Sequence, residues 1–170
     1  MCLSNIRLKR YKRRVALFCI NHFFAGTRAI FFSTKRKLLN WAGIPVGDGT
    51  RIVGPLYCTC ELKIGKDVWI GRNFSVDGNG SVIIGNCCDI APNVQLYTGS
   101  HQIGERRRAG PGYNGVIKIG DGCWICAASK LLPNVTIGEA TIVAAGSVVT
   151  KSFCENLMIG GVPAKTIKKL

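Results

Sequence analysis

Acidic residues are scarce in this chain. Of 170 residues only nine are Asp or Glu, against 23 Lys or Arg. Residues 1–47 hold ten cations (Arg7, Lys9, Arg10, Lys12, Arg13, Arg14, Arg28, Lys35, Arg36 and Lys37) and no acid at all. The basic surplus is therefore mainly an N-terminal property, suited to water or to an anionic partner. Histidine is nearly missing too, with His22 and His101 alone, which argues against a metal centre built from several imidazoles. Long apolar runs are also lacking. Residues 15–32 are about the minimum length for a membrane span, but Asn21, His22, Gly26 and Arg28 interrupt them, and a central Arg alone costs roughly 2.5–3.5 kcal/mol on insertion scales. The one candidate signal-peptide core, residues 15–20, is short and has no clear small-residue cleavage site after it. The nine cysteines accordingly read as reduced thiols of a cytoplasmic chain, not as a disulfide framework.

Glycine is abundant, with 21 residues and no collagen period, which points to many tight corners and to a repeat architecture. The repeat is visible in residues 84–101, which read IGNCCD, IAPNVQ, LYTGSH. Each block of six opens with an aliphatic residue, and the last ends in a histidine. A helix repeats near 3.6 residues and a simple strand at two, so a period of six implies short strands joined by regular corners. The same step runs through Val46, Ile52, Cys58, Ile64, Ile70 and Val76, resumes after two extra residues at Ile84, Ile90 and Leu96, and returns at Ile119, Ile125, Leu131, Ile137, Val143 and Val149. Four residues after most of these lie further small or apolar residues that can share the interior, among them Thr50, Leu62, Phe74, Cys88, Val94, Ser129 and Ser147.

Around this ladder the chain divides into three parts. Residues 1–45 form a basic, amphipathic helical segment. Residues 46–152 carry the hexads, with a loop at 102–118 expelled from the coil and rich in Arg, Gly and Pro. Residues 153–170 are a short basic tail expected to fold back along the last coils. Two outcomes are open for residues 4–37: they lie on a membrane surface, or they pack their apolar faces on the protein itself or on a neighbouring subunit.

The motifs IGRNF (70–74), IAPNVQLYTGSH (90–101), IGDGCWI (119–125), LLPNVTIGEATIVAAGSVVTK (131–151) and GVPAK (161–165) together resemble the hexapeptide-repeat acyltransferases. The likeness is to the group that includes maltose, galactoside and polysaccharide-biosynthesis O-acetyltransferases, and it covers about residues 38–170. It implies an all-β fold, a left-handed parallel β-helix of about five coils with an N-terminal helical segment and a short C-terminal tail. It also implies a homotrimer with active sites shared between subunits, and acetyl-CoA as co-substrate with no metal.

The resemblance makes His101 the general base that takes a proton from an acceptor hydroxyl. The chemistry suits the residue type, because an imidazole titrates near pH ~6.5 and can accept a proton at neutrality from a hydroxyl that is a poor nucleophile while protonated. A base of this kind needs a group on its other ring nitrogen. Asp77 is the candidate and Asn79 the runner-up, although the segment 77–80 also reads as a simple turn. For the CoA arm the resemblance points to backbone near Ala127 and Ala145, to Thr150 and Lys151, to the tail residues Lys165 and Lys168, and to Trp124 at the edge of the groove; lysines supply charge for the phosphates. The pairs Cys58/Cys60 and Cys123/Cys126 do not suggest zinc, because Cys58 and Cys123 fall on ladder positions where Cys is a small hydrophobe.

The expected acceptor is a saccharide, a nucleotide sugar or a lipid-linked glycan, with peripheral membrane contact through residues 4–37 and no nucleic acid. Serine or amino-sugar acetylation on the same fold is an alternative. So is a non-catalytic, membrane-associated scaffold. The metal-dependent carbonic anhydrases of this fold need several ladder histidines, and this ladder offers one.

Overall fold

A computed structural model of the protein describes residues 3–170, with side chains in the first helix described from residue 7 onward. Met1 and Cys2, the first residues of the basic segment, lie outside it. Two helices, α1 (Leu3–His22) and α2 (Ala29–Trp41), precede a solenoid of short strands. The strands stack into three sheets, one strand of each per turn. One sheet has seven strands, the second five and the third four. All pairings between successive turns are parallel, as in Leu62, Val82 and Ile117 lying side by side.

The six-residue step is the physical basis of this coil. A turn takes three hexads, so residues 18 apart stack directly, as Ile52 does on Ile70. Every one of the fifteen ladder positions from Val46 to Val149 is buried, with exposures of 0–7%. Most of the positions four residues later are buried as well, including polar Thr50, Ser129, Thr141 and Ser147. Their hydroxyls reach backbone carbonyls at the corners, for example Thr50 to Gly65 at 2.8 Å and Ser147 to Ala144 at 2.6 Å, which removes the cost of burying a polar group. The eight described cysteines are free thiols, and Cys58, Cys88 and Cys123 occupy the interior.

Glycine after the aliphatic residue serves stacking more than turning. At Gly120 a Cβ would stand 2.7 Å from the amide nitrogen of Glu139 in the next turn. No positive φ is involved there; the side chain is excluded by the close approach of the neighbouring coil.

Three details depart from the pattern of sixes. The excursion begins earlier than residue 102 and is a β-hairpin, Gly99–Ile103 against Ala109–Asn114, after which the coil resumes at Val116–Ile119 with Ile117 fully buried. Strand pairing across the hairpin extends the excursion back to Gly99, which a count of hydrophobic residues does not register. Second, the ladder does not stop near Lys151. Phe153 bridges to Ile137, and Leu157–Gly161 adds to the seven-stranded sheet with Ile159 buried. The last segment, Ala164–Lys169, then folds back antiparallel on that strand.

Third, Lys35 belongs to no solvated basic patch. It is fully buried, and its ammonium donates to the carbonyls of Gly26 (2.9 Å), Ile52 (2.6 Å) and Val53 (3.0 Å). The three donors of the lysine thus meet three acceptors. Arg36 donates to Thr50 (3.0 Å), and of the three cations 35–37 only Lys37 is exposed.

The helices close the open end of the first coil, as the terminus of a stacked repeat requires. Ala16 and Ile20 of α1, and Phe32 and Leu39 of α2, are buried. Asn21 locks α1 to the coil by bonding both backbone groups of Leu56, at 3.0 and 2.8 Å. Among the described residues no helix is long and apolar enough to cross a membrane.

Candidate active site

The three-sided coil has three columns of corners, and the candidate base and its expected partner lie at one of them, where the chain passes from the five-stranded to the four-stranded sheet. Going up this column, Thr59 and Cys60 occupy the first turn and residues 77–80 the second. The hairpin springs from the third, and Thr150 and Lys151 stand at the last. Thr98, at the hairpin root, is fully buried. Its hydroxyl donates to the Asp77 carbonyl at 2.9 Å and accepts from the Gly80 amide at 3.1 Å, while its own carbonyl accepts from Gly115 at 2.7 Å. Gly78, with φ +109°, lies so close beneath that a Cβ would stand 2.6 Å from the Gly99 amide nitrogen. The hairpin is thereby fixed to the coil at both of its ends.

His101 sits on the first hairpin strand, exposed, opposite Gly112. Its Nδ1 lies 2.8 Å from the carbonyl oxygen of Gly110. A carbonyl can only accept, so Nδ1 carries the proton and donates, and Nε2 is left with a free lone pair. This geometry replaces the expected partner. Within the chain Asp77 makes no bond to the ring: its Oδ1 accepts from the Thr59 hydroxyl and from the Gly78 amide, each at 3.0 Å. Asp77 ends a strand inside the coil while the histidine stands out on the hairpin, and the hairpin's own backbone is nearer. The Gly110 carbonyl was not legible in the motif, because only the pairing of the two strands brings it to position 101.

The CoA candidates are split. Trp124 is half exposed on the seven-stranded sheet, in a row with Ile142, Met158 and Lys168 on successive strands. Lys165 is on the same final strand, opposite Gly160. Ala127 and Ala145 stack one turn apart at the corner leaving that sheet, where Gly146 donates to the Ala127 carbonyl at 2.9 Å. Thr150 and Lys151 are exposed at the hairpin's corner, with the Lys151 ammonium 5.7 Å from the Phe153 ring centre. In a three-sided coil the hairpin's corner faces away from the seven-stranded sheet. One chain therefore does not gather all the candidates around a single substrate.

A cavity of about 730 Å³ opens at the foot of the hairpin's column, between α1 and the first corner. Lys9, Arg10, Arg13 and Arg14 line it from the helix, with Thr59, Cys60, Glu61 and Asn79 opposite. Lys9 and Arg13 pair with Glu61 at 2.9 and 3.4 Å, and the bond from Lys9 leads in holding the Glu61 carboxyl below its ordinary range. The hydrogen bond from Cys58 lowers the Cys60 thiol to about 7 against the opposing effect of burial.

A model described as bacterial transferase hexapeptide (six repeats) matches residues 117–151. The galactoside O-acetyltransferase of Escherichia coli is 30% identical over 169 residues, covering 95% of this chain and 79% of the relative. The chain belongs to the hexapeptide-repeat acetyltransferase family. A candidate acetyltransferase of Saccharomyces cerevisiae is 38% identical over 130 residues, and there the match covers 72% of this chain but 64% of the relative's length. Among solved structures, a hexapeptide-repeat acetyltransferase of Vibrio cholerae complexed with acetyl coenzyme A superposes with a TM-score of 0.83 at 26% identity, covering 99% of this chain and 91% of that one. Family membership explains why the ladder and its corners take up most of the chain.

Proposed function

We propose that this family member transfers an acetyl group from acetyl-CoA to a hydroxyl of a saccharide or glycan precursor, directly within a ternary complex, with His101 as general base. The observation that carries the reading is the bond from Nδ1 to the Gly110 carbonyl, which presents Nε2 as the base. Nε2 takes the proton of the acceptor hydroxyl as its oxygen attacks the thioester carbonyl. The new C–O bond forms, the C–S bond breaks, and the departing thiolate recovers the proton from the imidazolium. The acetyl-CoA bound by the Vibrio cholerae relative supports the donor, and the galactoside named for the Escherichia coli relative supports the acceptor class. Thiol release from acetyl-CoA over a panel of sugars, nucleotide sugars and serine tests it. Release that depends on a sugar hydroxyl supports the reading, and release with serine or an amino sugar alone overturns it.

The division of candidates between the hairpin corner and the far sheet supports a shared site in a trimer. His101 of one subunit would then face Trp124 and the tail lysines of the next, with Asp77, Thr150 and Lys151 on the histidine's side. Mixed oligomers check this. Chains carrying His101→Ala, reassembled with chains carrying Trp124→Ala, are expected to exceed the turnover of either variant alone, because some interfaces then hold both native residues. A plain average, or a stable active monomer in light scattering, would rule out the shared site.

Peripheral membrane contact fits the outer surface of the helical pair. Tyr11, Phe18, Phe23 and Ile30 are 55–76% exposed and are interleaved with Arg7 and Arg28, an arrangement suited to an anionic interface. Phe18→Ser with Phe23→Ser is expected to release the protein from vesicles containing phosphatidylserine, measured by sedimentation. Undiminished binding would remove the contact.

A further inference from the structure

The cavity beneath α1 has a chemistry that an acetyl acceptor of neutral sugar does not require. Four cations project from one side of the helix, and Glu61 answers only Lys9 and Arg13. Arg10 and Arg14 lie on that wall four residues apart, where two side chains on a helix reach the same point in space. Both are exposed, and among the described residues the side-chain hydrogen bonds and ion pairs of the α1 arginines all belong to Arg13. Arg13 donates to the Cys60 carbonyl at 2.7 Å, but its Nε is buried with no partner among the described residues, a donor left unmatched in the fold. The cavity is thus net positive, wide enough for a group larger than a water or a chloride, and left with unpaired donors along one wall.

Its place in the coil is as informative as its charge. Thr59 and Asn79 occupy the first and second turns of the column from whose third turn the His101 hairpin arises. Adjacent turns are about 4.8 Å apart, so the cavity floor lies roughly two turns below the hairpin root. We propose that this cavity holds the diphosphate of a phosphorylated acceptor, so that the sugar attached to it extends up the corner column toward His101. The assignment rests on the acetyltransferase reading and narrows its acceptor to a diphosphate-bearing saccharide. Paired guanidinium groups suit two phosphoryl groups better than one carboxylate, because each supplies a planar fork of donors and the summed charge matches. A soluble nucleoside-diphosphate sugar and a lipid-linked diphosphate glycan share this chemistry.

Calorimetric titration of the full chain with inorganic pyrophosphate, in saturating coenzyme A so that the donor's own phosphate contacts are filled, reads the site without any acetyl transfer. Binding is expected in the native protein, weakened at least tenfold by Arg10→Ala and by Arg14→Ala, and unchanged by His101→Ala and by the charge-matched control Arg107→Ala on the hairpin. Arg10 and Arg14 are exposed, so melting temperatures close to native are expected for both variants; Arg13 anchors the helix and is left intact. No pyrophosphate binding, or equal weakening by Arg107→Ala, would overturn the assignment and indicate only diffuse charge. Parallel titrations with a nucleoside diphosphate and with a polyprenyl diphosphate in micelles name the source by which binds more tightly than pyrophosphate. If pyrophosphate binds as expected while no sugar promotes thiol release, the anion site stands and the acetyltransferase reading fails; the reverse pattern removes the anion site alone.

Discussion

His101→Ala is expected to lower turnover by about 10²- to 10⁴-fold, the range that a positioned general base contributes, while the affinity for acetyl-CoA and the melting temperature stay near native. The physical basis is local. The ring is exposed on a hairpin strand, and the hydrogen bond it makes within the chain is to the Gly110 carbonyl. Its removal therefore leaves the coil interior untouched and deprives the acceptor hydroxyl of the group that takes its proton. The loss should fall on kcat, since the base acts as the bond forms and adds little to ground-state binding. His101→Asn separates the proton-accepting role from simple space filling: an amide can occupy the position but cannot act as a base, so it should be as impaired as alanine. Steady-state kinetics with coenzyme A release as readout checks both variants, and an asparagine variant with near-native kcat would show that the ring does no more than fill the site. Asp77→Asn provides a contrast. Its carboxylate bonds Thr59 and the Gly78 amide, and an amide oxygen can keep those two bonds, so the corner beneath the hairpin should hold and the loss should be smaller than for His101→Ala.

Lys35→Met is expected to destabilise the protein by about 3 kcal/mol, because removing a hydrogen-bonded buried cation leaves its partners without a donor. The three carbonyls that Lys35 satisfies come from the turn between the helices (Gly26) and from the first coil (Ile52 and Val53). One side chain thus joins the helical cap to the solenoid, and methionine keeps the volume but supplies no donor. Urea unfolding with the wild-type protein as reference measures the difference; a loss under about 0.5 kcal/mol, the scale of ordinary surface changes, would show that the carbonyls find other donors. The effect depends on pH in a definite direction. Burial lowers the Lys35 ammonium from 10.5 to about 8, so between those values the unfolded chain holds a proton that the folded chain has released. The contribution of this position to stability then rises with pH, by at most about 1.4 kcal/mol per pH unit. The gap between wild type and Lys35→Met should accordingly be wider at pH 9.5 than at pH 7.5.

The coil was legible because its determinant is periodic. A buried residue every sixth position, followed by a second buried residue four places on, specifies three short strands per turn without any knowledge of distant contacts. All fifteen positions picked out in this way are inside. The places where the pattern falls silent are those ruled by backbone pairing. Val82 and Ile117 are interior residues that belong neither to the fifteen ladder positions nor to the positions four residues after them, because insertions displace the register around them. The hairpin begins at Gly99, and the last parallel strand reaches Gly161, for the same reason: hydrogen-bonded ladders extend through residues whose side chains carry no hydrophobic signal.

The basic segment shows a different limit. Ten cations in 47 residues look alike in a sequence, yet the fold gives them separate tasks. Lys35 is a buried tie, Arg36 a strut to Thr50, and Lys9 and Arg13 are joined to Glu61, while Arg10 and Arg14 remain available at the cavity wall. Which cation is paired depends on what the first coil presents to each helix face, and that is set by packing between elements more than ten residues apart.

Residues that recur at fixed local spacing were enough for the solenoid and its single ladder histidine, and the resemblance carried by five motifs was enough for the acetyltransferase family. Stacking and strand pairing were needed to bring the Gly110 carbonyl to Nδ1 of His101, to set the donor-binding candidates away from the histidine's corner, and to place a cationic cavity at the foot of the same column. These are relations between segments brought together by stacking and strand pairing. No local period encodes them, since the distance along the chain between two such groups bears no fixed relation to the distance between them in space.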